Sequence, residues 1–378
     1  MVLTVLISMQ NSSGVEVYLT SKYVPVGGEM TSEPSDLEVL AKSFANDEID
    51  NSSSATPDNS HEDEARTVGA TRTRADRWYR GVTTGAGLLT LILLVFIGVF
   101  LFIRSSEALD FAGFSFFTKT QWQPQGTPPQ FGILAVMYWT IIIAIISLLI
   151  AIPLAIAIAM FLTDFAPRAI RKPLMALVDL LAAIPSLIYG LWGLFVLQPL
   201  LVPFAGAVSR TFPGVPILRV DNPTYTSSAF VAGVIVSLMV LPITASVVRE
   251  VFSQAPPGER EAALALGSTR WDMIRTVVLP FGRGGIIGGS MLGLGRALGE
   301  TIAVALIISP VFTISPQVLE TGANSVAALI ALKFGEASGL SLSALMAAGL
   351  ALFILTLAVN FLASIVVSRS RSGAGVDI

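Results

Sequence analysis

Residues 248–285 read VREVFSQAPPGEREAALALGSTRWDMIRTVVLPFGRGG and lie between two long apolar runs. The stretch is too polar to cross a bilayer and too patterned to be an idle linker. Pro256, Pro257 and Gly258 form a breaker, after which GEREAALALG reads as a helix with acidic residues in its first turn and Gly267 as its stop. A second short helix, STRWDMIRTVVL, starts with Ser268 or Thr269 as its cap and is expected to end at Pro280. Two short helices meeting at a glycine make a compact knob. Ala262 and Ala263 let a foreign surface approach closely, Gly267 permits a positive-φ turn, and Glu259, Arg260 and Glu261 offer charged contacts at the rim.

The sequence around the knob is that of a membrane protein. The chain has 378 residues, 53% hydrophobic and 13% charged, with a mean hydropathy of +0.74. An ordinary soluble domain is less apolar and about twice as charged. Uncharged runs recur after residue 85, each near or above the ~20 residues that a helix needs to cross hydrocarbon. Unpaired backbone amides cannot face lipid, so the class is all-α and polytopic. Six spans are expected at about 85–103, 131–162, 174–203, 228–248, 284–309 and 341–367. The second and third are long enough to tilt or to leave the bilayer at an end. Pro153, Pro185 and Pro242 fall inside spans and are read as kinks.

The basic residues orient these spans. With a cytoplasmic N-terminus, the inner segments hold Arg66, Arg72, Arg74, Arg77, Arg80, Arg168, Arg171, Lys172, Arg249, Arg260, Arg270, Arg275, Arg283, Arg369 and Arg371. The outer loops hold Arg104, Lys119, Arg210, Arg219 and Lys333. Fifteen against five places both termini in the cytoplasm of a multi-pass protein of the cell membrane.

Four regions follow. Residues 1–70 carry a cluster of Asp and Glu among Ser, Asn and Pro and are expected to form a disordered acidic cytoplasmic tail. Residues 71–130 hold a basic flank, the first span and an outer loop; 131–370 form the core, with the cytoplasmic loop at 249–283; 371–378 form a short cytoplasmic tail. The opening MVLTVLISM lacks a basic flank and does not read as a signal peptide, and Met30 is an alternative start.

Several chemistries lack raw material. There are no cysteines, and the single histidine, His61, lies in the polar tail. No metal site and no Ser-His-Asp catalysis are expected. No GxxxxGK[ST] motif occurs, so any ATP hydrolysis, with its Mg²⁺, belongs to another polypeptide and no cofactor resides on this chain. No nucleic-acid partner is expected.

One helix carries charge where lipid should surround it. GLGRALGETIAV, residues 293–304, places Arg296 and Glu300 four positions apart in an apolar span. Two charges near the bilayer centre cost about 5–7 kcal/mol, while the ten Ile, Leu and Val residues of 284–309 return about 3–6 kcal/mol. The helix must therefore turn both charges toward protein or water. Gly285, Gly289 and Gly293 form one strip for close helix packing, and Gly295 and Gly299 repeat the spacing. One helical turn apart, Arg296 and Glu300 share a face: they either bridge each other and lock the helix in place, or line a solute pathway. Arg offers a planar fork of donors to an oxyanion, and Glu accepts from a solute that still carries an OH proton, a pairing that fits hydrogen phosphate better than sulfate. Ser186 and Tyr189, beside Pro185, could offer hydroxyls to the same solute or pack the kink. Asp179 and Asn360 are read as interfacial or interhelical contacts, and Trp122 with QWQPQGTPPQ as an outer turn or a docking surface.

Two sets of motifs carry a family resemblance. Glu261-Ala262-Ala263, three residues, Gly267, nine residues, Val277, one residue, Leu279-Pro280 resembles the "EAA" loop of binding-protein-dependent ABC importer permeases with the MetI-like fold. The family has Ile where this chain has Val277. The resemblance implies that Glu261, Ala262, Ala263, Gly267, Leu279 and Pro280 belong to a coupling helix that docks on an ATPase subunit. GLGRALGETIAV, together with IPSLIYGLWG (184–193) and FGILAVMYWTI (131–141), is similar to PstC-type permease subunits of phosphate-specific ABC importers, over about residues 80–370. It implies inorganic phosphate as substrate and, as partners, a second homologous permease (PstA-type), a pair of ATPase subunits (PstB-type) and an extracytoplasmic phosphate-binding protein (PstS-type). The rival readings are a permease for molybdate or sulfate, an ion-coupled secondary transporter and a sensor that moves no solute.

Overall fold

A computed structural model of the chain describes residues 74–370, with side chains through residue 365. The acidic tail with His61, the alternative start and the C-terminal tail lie outside the described residues. The elements, in order, are α1 (Arg74–Ala112), α2 (Ser115–Thr118), a hairpin of β1 (Trp122–Gln123) and β2 (Gln130–Phe131), α3 (Leu134–Met160), α4 (Arg168–Ala183), α5 (Ser186–Trp192), α6 (Gln198–Thr211), α7 (Ala229–Ser253), α8 (Pro257–Ala265), α9 (Arg270–Met273), α10 (Leu279–Leu298), α11 (Ile302–Ile307), α12 (Val326–Lys333) and α13 (Leu340–Ser370). Single π-helical turns extend α3 through Phe165, join α5 to α6 and join α9 to α10. Among the described residues six helices are long and apolar enough to cross a membrane: Arg74–Ala112, Leu134–Phe165, Ser186–Thr211, Ala229–Ser253, Arg270–Leu298 and Leu340–Ile365.

The first span, expected at 85–103, is the middle of a longer helix, Arg74–Ala112, and two further spans start elsewhere than the sequence reading placed them, each because of a proline. The third begins at Ser186, not near residue 174. Ile184 turns extended (ψ 131°) and Pro185 follows at φ −58°, ψ 142°, so the helix stops. Residues 168–183 instead form α4, a separate amphipathic helix with no buried residue. The fifth span was expected at 284–309 and runs from Arg270 to Leu298. Pro280 does not end the preceding helix, because Leu279 N–H already bonds back five residues to Ile274 O in a π turn. A proline placed just after that shift, in the first turn of α10, breaks no further bond.

Helix α7 is the centre of the bundle. In its apolar window 67% of the residues are buried, against none in that of α1. It packs on α3, α10 and α4, and its small residues allow this: a Cβ added to Gly233 would stand 2.6 Å from Ile146 Cγ2 of α3. Ser228 caps α7 by accepting from Val231 N–H at 3.3 Å. Helix α1 packs on α13, where Ser343 Oγ donates to Arg104 O and accepts from Ala108 N–H, each at 3.0 Å.

The loops 212–228 and 309–325 are stitched into one cap at the end of the bundle where α7 starts. Val318 N–H donates to Ile217 O at 3.1 Å, and Phe230 N–H donates to Val318 O at 3.0 Å. Tyr138 Oη and Trp139 Nε1 reach up from α3 to the carbonyls of Ser315 and Thr313, both at 2.9 Å. Asp221 ties the loops at the surface, accepting from Gln317 Nε2 at 2.7 Å and pairing with Arg219 Nη2 at 2.9 Å. The Gln317 amide first, and the Arg219 charge after it, hold the Asp221 carboxyl below the usual carboxylate range. A depressed pKa stabilises the folded loops above the ordinary carboxylate value, and this contribution is lost as the pH falls through the depressed value. The inter-loop distance, read from spin labels at positions 223 and 314, is expected to stay narrow from neutral pH to pH ~5 and to broaden only below the usual Asp range. In Asp221→Asn it should not respond to that acidification.

Candidate functional site

The knob is built by three local devices. Helix α8 ends in a Schellman motif: Gly267 N–H donates to Leu264 O at 3.0 Å and Ser268 N–H to Ala263 O at 3.3 Å, with Gly267 at φ +86°. A Cβ at Gly267 would meet nothing within 4 Å. The glycine is there for its backbone angle and not for space. Thr269 is the cap of α9, in a capping box with Asp272: Asp272 N–H donates to Thr269 Oγ1 at 3.2 Å, and Thr269 N–H to Asp272 Oδ2 at 3.3 Å.

The rim is not as the sequence suggested. Glu259 and Glu261 are exposed, but Arg260 turns inward and pairs with Asp164 at 2.9 Å, the two side chains only 20% and 5% exposed. A second guanidinium nitrogen of Arg260 donates to Phe252 O, and Thr163 Oγ1 donates to the other Asp164 oxygen at 2.6 Å. Arg260 therefore fastens the knob to the end of α3. Ala263 and Leu279 pack on the buried cluster of Phe252, Met273, Ile274 and Val278, while Ala262 and Pro280 are exposed. The sequence reading missed the apolar tip: Leu264, Leu266 and Trp271 are exposed, Leu266 by 88%. The signal was present as large apolar residues in a segment too polar to span.

The charged stretch also folds differently. Helix α10 stops at Leu298; Gly299 N–H still reaches Gly295 O at 3.2 Å, but Thr301 leaves the helical path (φ −110°, ψ −66°) before α11 starts at Ile302. Arg296 and Glu300 therefore do not share a helical face, and no ion pair joins them. Glu300, 7% exposed, accepts from Ala303 N–H at 3.2 Å and so serves the first turn of α11. Arg296 is half-buried, and its Nε is buried without a hydrogen-bond partner. It lines a cavity of about 250 Å³ with Ile243, Met291, Leu292, Gly295 and Asn360.

Tyr189 stands within electrostatic reach of Arg296, and its hydroxyl donates to Leu181 O at 3.0 Å across the α4–α5 break. Ser186 is half-buried in the first turn of α5. Asp179 is an interhelical contact, accepting from Ser246 Oγ at 2.8 Å and Arg249 Nη2 at 3.3 Å on α7.

The two glycine strips part company. Added Cβ atoms at Gly285, Gly289 and Gly293 would meet α7: Val251 Cβ at 2.5 Å, Thr244 O at 3.3 Å and Val240 Cγ1 at 2.6 Å. A Cβ at Gly295 would meet nothing, and one at Gly299 only carbonyls of its own helix, so this second strip packs on no neighbour among the described residues. Two glycines that the sequence reading passed over do pack closely. Cβ atoms at Gly190 and Gly193 would stand 2.8 Å from Ala303 Cα and 2.6 Å from Ile235 Cδ1, seating the YGLWG turn on α11 and α7. Among the described residues no group of His, Asp and Glu could hold a metal ion.

Known proteins are similar to this chain over most of its length. Residues 151–372 match the family described as "Binding-protein-dependent transport system inner membrane component". The "Phosphate transport system permease protein PstC" of Xylella fastidiosa (strain 9a5c) is 42% identical over 300 residues, 78% of this chain and 91% of that protein. The "Phosphate transport system permease protein PstC 2" of Mycobacterium tuberculosis (strain ATCC 25618 / H37Rv) is 40% identical over 304 residues, 79% of this chain and 94% of that protein. A chain from the crystal structure of a bacterial ABC transporter involved in the import of the acidic polysaccharide alginate aligns with a TM-score of 0.49 at 20% identity, over 78% of this chain and 99% of that one. With six candidate spans, a glycine-hinged knob and more than half of its length inside the matched family, the chain belongs to the binding-protein-dependent transport system inner membrane components.

Proposed function

We propose that this chain is the permease subunit of an ATP-driven importer of inorganic phosphate, forming half of the translocation pathway. The observation that carries the reading is Arg296, a half-buried cation that lines a cavity between spans and whose buried Nε has no hydrogen-bond partner. An ionisable group held inside a helical membrane bundle marks a solute path by default, and a guanidinium suits a tetrahedral oxyanion. The relatives named as phosphate permeases, alike over nearly their full length, support phosphate as that anion. The chain is a transport component and not an enzyme.

Coupling runs through the knob. Its exposed Leu264, Leu266 and Trp271 offer an apolar tip, with Glu259 and Glu261 beside it, to a separate ATPase subunit that binds ATP and Mg²⁺. A second homologous permease (PstA-type), the ATPase pair (PstB-type) and an extracytoplasmic phosphate-binding protein (PstS-type) complete the assembly. Both termini face the cytoplasm, as the asymmetry of Lys and Arg supports. ATP-driven closure of the ATPases pushes the knob as a rigid body, and the pathway near Arg296 opens alternately to each side.

Uptake of labelled phosphate, sulfate and molybdate by the reconstituted wild-type complex tests the substrate. Phosphate preference is expected; wild-type preference for sulfate or molybdate would overturn it. Uptake that persists without any ATPase subunit would favour an ion-coupled carrier. Gly267→Val puts a β-branched residue at φ +86°, at a cost of about 1–2 kcal/mol, and distorts the knob with no clash elsewhere in the chain. Uptake should fall well below wild type while the chain still inserts and ATP hydrolysis continues. Normal coupled uptake in that variant would remove the knob from the mechanism.

A further inference from the structure

We infer that Asn360 is a second ligand for the transported anion, placed in the same cavity as Arg296 and supplying the hydrogen-bond acceptor that a guanidinium lacks. The inference rests on the phosphate reading above and adds a residue that the sequence reading had placed among interfacial or interhelical contacts. Asn360 lies in the apolar stretch LALFILTLAVNFLASIVV of α13. Its amide is exposed in this chain, makes none of the side-chain hydrogen bonds that tie the spans to one another, and lines the cavity with Arg296. An amide that faces hydrocarbon without a partner is costly, so its place in a spanning helix calls for something polar beside it.

The surroundings fit a small anion. Gly295, adjacent to Arg296, leaves open the space that any Cβ would narrow. The Arg296 side chain has donors only, and its Nε is unused. Glu300, the acceptor first expected to meet a P–OH group, accepts instead from Ala303 N–H at the start of α11. The carboxamide of Asn360 has both an N–H₂ donor and a C=O acceptor. Phosphate near neutral pH presents both oxyanions and at least one OH. Arg296 and the Asn360 N–H₂ then bind oxyanion oxygens, and the Asn360 carbonyl accepts from the P–OH.

The test uses the full complex in proteoliposomes, with the ATPase, the second permease and the binding protein. Asn360→Leu, which removes both donor and acceptor, should lower phosphate uptake roughly tenfold at an unchanged amount of assembled complex. Asn360→Gln, which keeps the amide, should recover much of it, a rescue that a packing role for the shorter side chain would not give. Wild-type uptake by Asn360→Leu, while Arg296→Leu is inactive, would overturn the assignment and leave the phosphate reading standing; absence of phosphate uptake by the wild-type complex would overturn both. Because the chain has no cysteine, Asn360→Cys also gives it a single thiol. That thiol should react with an anionic methanethiosulfonate during turnover, and failure to react in any state would place position 360 against lipid or another subunit and overturn the assignment.

Discussion

Replacing Arg260 with alanine is expected to destabilise the folded chain by about 3–5 kcal/mol, because it leaves Asp164 as a buried charge without its partner. The side chains are 20% and 5% exposed, so solvent screening relieves little of this. The lost guanidinium also removes the donor to Phe252 O, and with it the clasp that holds the start of the knob to the end of α7. Thermal unfolding of the purified chain in detergent should show a large drop in midpoint. In the assembled complex, ATP hydrolysis should continue with little uptake, since the knob would move without carrying α3. The double variant Arg260→Ala/Asp164→Ala removes both charges and should regain more than half of the lost stability. A single variant with an unchanged midpoint would show that the pair is not a structural clasp.

Gly293→Leu is the second change with a large expected effect. Even the first carbon of the new side chain would stand 2.6 Å from Val240 Cγ1 and 2.8 Å from Thr244 Oγ1, so α7 and α10 must separate. Overpacking of this kind costs about 1–3 kcal/mol where the neighbours can yield. Here the neighbours are β-branched residues on the most buried helix, and the upper end of that range is expected. The level of folded chain should fall, and uptake by what remains should be lost, because α10 carries Arg296 one turn further on. Gly288→Ala serves as the contrast: its Cβ meets nothing in this chain, so stability should be held or slightly raised. Equal stability of Gly293→Leu and wild type would refute the close approach of α7 and α10.

What the sequence made legible was local. The turn at Gly267 and the cap of the next helix depend on residues within five positions of each other; propensity places the turn and narrows the cap to Ser268 or Thr269, of which the structure takes Thr269. The strip Gly285, Gly289, Gly293 is also readable from spacing, but the same spacing at Gly295 and Gly299 leads to open space; periodicity gives a face and not what stands opposite it. Arg260 illustrates the same gap from the other side. Its partner Asp164 lies almost a hundred positions away, and only tertiary packing turns a rim charge inward. The prolines were misread for a physical reason: Pro185 breaks a helix because the residue before it is extended, and Pro280 does not because a π turn has already shifted the bonds. At Gly299–Thr301 the hydropathy runs on unbroken while the backbone leaves the helix, so two charges four apart came to serve different elements.

The π turn at Ile274–Val278 has a mechanical consequence. Because it joins α9 to α10 without a break, residues Arg270–Leu298 form one continuous rod, roughly 43 Å long at 1.5 Å per residue. Its one end holds the exposed Trp271 of the tip proposed above to meet the ATPase, and Arg296 stands near the other. A tilt of that rod by about 10° displaces one end sideways relative to the other by about 7.5 Å. In the proposed mechanism the push on the knob and the movement at Arg296 are then two ends of one motion.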